Sequence, residues 1–252
     1  MYLIRSIASV VVLVSGALVF MVMLNRVWPR DKRRIHNDLI GWQLSVLGTT
    51  YAVILGFMLY TVWTGFGAAS VNADLEADAA LNIYHVALGL PEPQRTQLRN
   101  LARSYVGSVL NDEWPQMARG EIPERSSAVA FDMWRTILAA KVTSPTEINV
   151  QDHELTHVSE LTQHRLTRIV QAGNRLPGVL WCVLLVGGFL TMVSACMFGS
   201  ESAWLQALQV SSFSLLVALS LMAIADIHRP FTGLIHVQDY PFRRALHSME
   251  LP

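Results

Sequence analysis

The chain alternates long apolar stretches with one polar middle. Ile7 to Leu24 is a continuous uncharged apolar run, with Arg5 before it and Arg26 after it. Leu39 to Ala73 carries no charged residue, well past the ~20 residues a helix needs to cross a bilayer. Leu176 to Phe198 and Ala203 to Ala225 are two further runs, and Gly199-Ser200-Glu201 between them makes a tight turn, hence a hairpin. Ser15-Gly16-Ala17 resembles a signal-peptidase site, but the first run continues past it to Leu24, so we read it as a retained anchor.

The polar middle also reads as helical. Asp74 to Leu90 continues the second run, stopped by Gly89 and Pro91-Glu92-Pro93. Gln94 to Arg119 places Leu98, Leu101, Tyr105 and Val109 at helical spacing, with Pro115 and Gly120 weakening its end. Ser126 or Ser127 is positioned to cap a helix through Lys141, with Phe131, Trp134 and Leu138 on one face. After Ser144-Pro145, a helix from about Thr146 to Asn174 feeds the third run. Alternation with period two is missing throughout.

The predicted fold is therefore all-α: four transmembrane helices, with a helical extramembrane domain inserted between the second and third spans. Residues 1–73 form the first transmembrane pair, with spans about 7–24 and 39–66 and a second span that extends as a long helix. Residues 74–175 are the extramembrane domain, 176–225 the second hairpin and 226–252 a C-terminal tail.

Composition agrees: 52% of residues are hydrophobic and 15% charged, against about 25% charged in soluble domains. The formal net charge is zero, which gives no basic field for nucleic acid. Cys182 and Cys196, in one helix, stand roughly 21 Å apart, outside disulfide reach. Two charge arguments for membrane orientation oppose each other. Arg26, Arg30, Lys32, Arg33 and Arg34 place the first loop in the cytoplasm, whereas Arg165, Arg168, Arg175, Arg229, Arg243 and Arg244 place the other side there.

Two patterns carry candidate chemistry. HELTHVSELTQH contains His153-Glu154-x-x-His157, the spacing at which two imidazoles hold zinc and a glutamate activates its water. On a helical wheel, His153, His157, Glu160 and His164 share a stripe opposite Leu155, Val158, Leu166 and Ile169. Against a peptidase, His164 is one position too late for the extended HExxHxxGxxH pattern, and Glu160 stands where that pattern has glycine. We read the stripe as a solvated or inter-subunit face; a divalent metal on these four residues is the one cofactor reading. In the second span, Gly48, Ala52 and Gly56 recur every four residues, a small-residue stripe suited to close helix packing. Thr49, Val53 and Phe57 run beside it and are candidates for a hydrophobic constriction that gates ions by dewetting. No Asp, Glu, Lys, Arg or His lies within any span, which disfavours proton-coupled pumps and leaves a passive pore or a scaffold.

Several stretches in order, HNDLIGW (36–42), YAVILGFMLYTVW (51–63), Glu76-Ala77, Tyr105 with Glu113-Trp114-Pro115, LPGVLW (176–181) and RPFTG (229–233), resemble the bestrophin-like domain family of mostly bacterial membrane proteins. That family tends to carry an Asp two residues before its Pro-Phe-x-Gly, where this chain has His228. True bestrophins, more distantly similar, are oligomeric anion channels. Leu55-Gly56-Phe57 and Trp63 match a stretch of their neck-lining span, but the acidic calcium clasp has no counterpart.

The resemblance implies a multi-pass protein of a bacterial plasma membrane that contacts lipid, forms a homo-oligomer and conducts inorganic anions, not an enzyme. A non-conducting scaffold or sensor binding a partner through the extramembrane helices is the alternative, and a zinc peptidase the third reading.

Overall fold

The computed structural model describes residues 2–123 and 127–250. Among them every regular element is helical. In chain order these are α1 (Tyr2–Val27), α2 (Arg30–Arg34), α3 (Asn37–Val86), a 3-10 turn (Ala87–Gly89) and α4 (Gln94–Ser108). A π-helical turn (Val109–Glu113), α5 (Trp114–Ala118) and α6 (Ser127–Leu138) follow, then α7 (Pro145–Gly173), α8 (Gly178–Met197), α9 (Ala203–Ile227) and α10 (Tyr240–Glu250). Segments Ser6–Val27, Asn37–Gly89, Gly178–Met197 and Ala203–Ile227 are long and apolar enough to cross a membrane.

The chain divides into two compact units. The first comprises Met1–Thr64 and Arg175–His228, the second Gly65–Asn174 and Arg229–Pro252. The 50-residue α3 supplies residues to both.

In the first unit α1, α8 and α9 pack on one another, burying Ala17, Met21, Cys196 and Val210. Helix α3 meets α8 at one close approach, where the buried Tyr51 donates to the Leu184 carbonyl at 3.0 Å. A Cβ on Gly187 would stand 2.7 Å from the Tyr51 ring, so the glycine makes room for it. Between the first two spans, Arg33 is fully buried and donates to Asn25 and, at 2.7 Å, to the Cys196 carbonyl at the end of α8. Gln206 covers the Phe198 carbonyl at 2.9 Å, and Asn37 brackets Gly199 through its carbonyl at 2.7 Å and its N–H at 2.9 Å. These polar groups satisfy the carbonyls that a helix end leaves unpaired.

The second unit is built on an alanine stripe of α3. Ala69, Ala73, Ala77 and Ala80 are buried with Ile83, letting neighbouring helices come close. Leu98, Tyr105 and Val109 face this core, as their spacing predicts. Helix α7 starts in a capping box: Ser144 Oγ accepts from the Glu147 N–H at 3.1 Å, and the Glu147 carboxylate accepts from the Ser144 N–H.

Two helix faces differ from the sequence expectation. On α6 the buried residues are Ala130, Met133 and Ile137, while Phe131 and Leu138 are exposed and Trp134 is only partly buried. On α7 the inward stripe is Glu154, Val158, Leu161 and Arg168, and Leu166 is exposed. Each helix carries two near-equivalent apolar stripes; on α6 the one that packs against α4 and α7 is the stripe of smaller side chains, and on α7 the one that includes Glu154 and Arg168 is buried. The cap candidate Ser126 lies outside the described residues. The C-terminal segment, expected as a tail, adds Phe231, Phe242, Ala245 and Met249 to the second unit's core.

Candidate functional site

Four ionisable residues and a tyrosine meet inside the second unit. Arg168, on the inward stripe of α7, donates from Nε to Glu76 Oε2 at 2.7 Å and from Nη2 to Glu76 Oε1 at 2.9 Å. The same Nη2 reaches Glu113 Oε2 at 2.5 Å, and Arg165 Nη2 donates to Glu113 Oε1 at 3.0 Å. Tyr105 completes the knot, its hydroxyl donating to Glu76 Oε1 at 2.6 Å. Arg168, Glu76, Glu113 and Tyr105 are fully buried. Trp114 and Phe242 wall the guanidinium, with ring centroids 5.9 and 5.8 Å away.

Helix α3 delivers Glu76 from its core-facing stripe, between Ala73 and Ala77. The π-helical turn ends at Glu113, and a five-residue turn shifts side-chain direction relative to an α-helix. Glu113 thereby points inward at the start of α5. Two carboxylates balance two guanidiniums, which is what a desolvated cluster requires. Burial opposes the charged form of Arg168, but the bonded Glu76 carboxylate outweighs it and holds the guanidinium above its ordinary value. Burial, then the Glu76 charge, pushes the Tyr105 phenol well up. The cluster joins α3, α7 and the π-turn through side chains of opposite formal charge.

The second feature is the outward face of α3 in the first unit. Thr49, Val53 and Phe57 are all exposed, Val53 by 52% and Phe57 by 69%. Of the small-residue stripe, only Gly48 is near another helix, 3.9 Å from Thr191 by its notional Cβ; Ala52 is exposed and Gly56 faces open space. Among the described residues this face is therefore uncovered: close packing of α3 in the first unit falls on Tyr51 and the Gly187-Gly188 pair instead.

The histidine stripe is split. His157 Nδ1 lies 3.1 Å from Glu160 Oε2. His164 turns away to Asn72, with Nδ1 3.0 Å from Oδ1, while the Asn72 amide donates to the His164 carbonyl at 2.8 Å. His153 is exposed. Among the described residues no group of three or more His, Cys, Asp or Glu is gathered to hold a metal. Glu154, the would-be base, is fully buried on the inward stripe with neither carboxylate oxygen hydrogen-bonded. Burial alone pushes its carboxyl up to about 8.

In the sequence Tyr105 stands out by its helical spacing and by family resemblance, Glu76 and Glu113 by the resemblance, and Arg165 and Arg168 as charges that bear on membrane orientation. A usable signal was present: Arg168 falls seven residues after Leu161, a charge on an apolar stripe. At position 228, the histidine that replaces the family's acid packs edge-on against Trp181, with centroids 5.7 Å apart.

Three solved structures share this fold. One is a membrane protein with a proline-to-alanine substitution, 14% identical, covering 97% of this chain and 98% of that one, TM-score 0.63. The second is a bacterial bestrophin homologue from Klebsiella pneumoniae with a leucine-to-threonine mutation, also 14% identical with 97% and 98% coverage and TM-score 0.63. The third is that homologue with an isoleucine-to-threonine mutation, 13% identical, 98% of each chain, TM-score 0.64. No curated protein matches the sequence. Residues 11–242 match the bestrophin-like domain, nearly the whole chain, and the protein belongs to that family.

Proposed function

We propose that the protein is the subunit of an oligomeric, bestrophin-like membrane channel that passes inorganic anions, with the exposed face of α3 around its axis. One observation carries the reading: a helix whose charge-free stretch is long enough to span a bilayer leaves Thr49, Val53 and Phe57 exposed among the described residues. Rings of such side chains from several copies make a narrow apolar constriction, which gates by wetting. The absence of Asp, Glu, Lys, Arg and His from Leu39 to Ala73 fits passive conduction better than proton coupling. The buried Glu76–Arg168–Glu113 knot acts in this reading as a rigid mount for the outer part of α3.

In planar bilayers the purified oligomer is expected to conduct, and Phe57→Ala to raise unitary conductance by widening the constriction. Oligomer that conducts in no salt, from chloride to nitrate, overturns the channel reading. It would leave the scaffold alternative, which the exposed Phe131 and Leu138 of α6 favour as a partner-binding face.

A further inference from the structure

We propose that Arg99 and Arg103, converging on Tyr84 in the second unit, bind a phosphate-class oxyanion. The stretch RTQLRNLAR sets Arg95, Arg99 and Arg103 at four-residue steps, on one face of α4. Arg95 is accounted for: its Nε donates to the Leu90 carbonyl at 3.0 Å and lies 4.0 Å from Glu92. The other two are not. Arg99 Nη2 donates to the Tyr84 hydroxyl at 2.5 Å, and Arg103 Nη2 donates to the same oxygen at 2.6 Å. Both guanidiniums also approach the Tyr84 ring, 4.2 and 4.9 Å from its centroid.

Two cations thus share one neutral acceptor. Like charges on adjacent helical turns repel, and sharing an oxygen brings them closer still. Among the described residues neither has a carboxylate in an ion pair, and Arg99 Nε is buried with no hydrogen-bond partner. Among the described residues the one further acceptor is the Met249 carbonyl, 2.5 Å from Arg103 Nη2 near the end of α10. A helix end carries about half a charge, against two. Arg168 makes the contrast, since there two carboxylates meet the buried guanidinium. Tyr84 is 98% buried by its 2% exposure and fixes both forks, while Arg103 is exposed and Arg99 half-buried, so the pair is preorganised and reachable. Two guanidiniums with unused N–H groups suit a tetrahedral oxyanion, which takes charge-assisted bonds from both.

The test is thermal unfolding of the full-length protein in detergent, titrated with sodium phosphate against sodium chloride at matched ionic strength. A saturable rise in midpoint specific to phosphate is expected, and Arg99→Gln/Arg103→Gln should raise the half-saturating concentration about tenfold or more. Arg103→Gln alone, at an exposed position, carries the same test if the double variant does not fold. Arg30→Gln/Arg34→Gln in the first loop should keep the response. Equal stabilisation by chloride, or an undiminished phosphate response in the Arg103 variant, overturns the site.

Discussion

Glu154 shows how a single side chain can look catalytic in sequence and be something else in structure. Its neighbours in the zinc-site spacing, His153 and His157, lie outside the inward stripe, while Glu154 shares that stripe with Val158 and Leu161. A buried carboxyl without a hydrogen-bond partner is tolerated in its neutral form. Its folded-state value of about 8 stands above the ordinary 4.5, so between these the folded chain holds a proton that the unfolded chain has lost. Stability from this group is therefore greatest below the unfolded value, falls as pH rises through that window, and levels off above about 8. Glu154→Leu, which fills the same space without the charge, should flatten that slope and raise the unfolding midpoint most at the alkaline end. Midpoints of both proteins from pH 5 to 9 check it; parallel curves would refute the assignment. The sequence could not show this, because a His-Glu-x-x-His spacing states which residues are one turn apart, not which side of the helix meets the core.

At the scale of elements, the legible part was what length and periodicity encode. The four spans, the long second helix and the stop at Gly89 follow from apolar runs and breakers. Rotational settings were less legible, because Phe131-Trp134-Leu138 and Ala130-Met133-Ile137 are adjacent stripes on α6, and the stripe of smaller residues is the one buried against α4 and α7. The ion-pair knot was hidden for a related reason: its members come from α3, the π-turn and α7, 92 residues apart between Glu76 and Arg168. Its energetics are asymmetric. Arg168→Leu leaves the buried Glu76 without a cation and Glu113 with Arg165 alone, and should cost about 3–5 kcal/mol, whereas replacing Glu76 and Arg168 together by Gln and Met, which keeps the Glu113–Arg165 pair, should recover most of it. Urea or thermal unfolding of the two variants measures the difference. A double variant no more stable than Arg168→Leu would mean that the knot stabilises the unit through net favourable pairing rather than through mutual neutralisation.

At the scale of the whole molecule, a substitution at Gly56 tests association between chains separately from folding of the chain. A Cβ there meets nothing within 4 Å, so a larger side chain has space on the isolated subunit. Glycine also costs about 1 kcal/mol relative to alanine within a helix, so substitution stabilises α3 locally. Gly56→Leu is thus expected to fold as well as the parent or better. If α3 faces its counterparts around an axis, that same leucine projects where another helix must approach, and it displaces the small-residue contact. The expected result is a folded protein whose oligomer dissociates or changes stoichiometry, read as mass by light scattering in detergent, with conductance altered in parallel. An oligomer of unchanged mass and conductance would move the inter-subunit contact off this stripe, leaving the exposed apolar face of α3 to lipid and removing the physical basis for a constriction at Phe57.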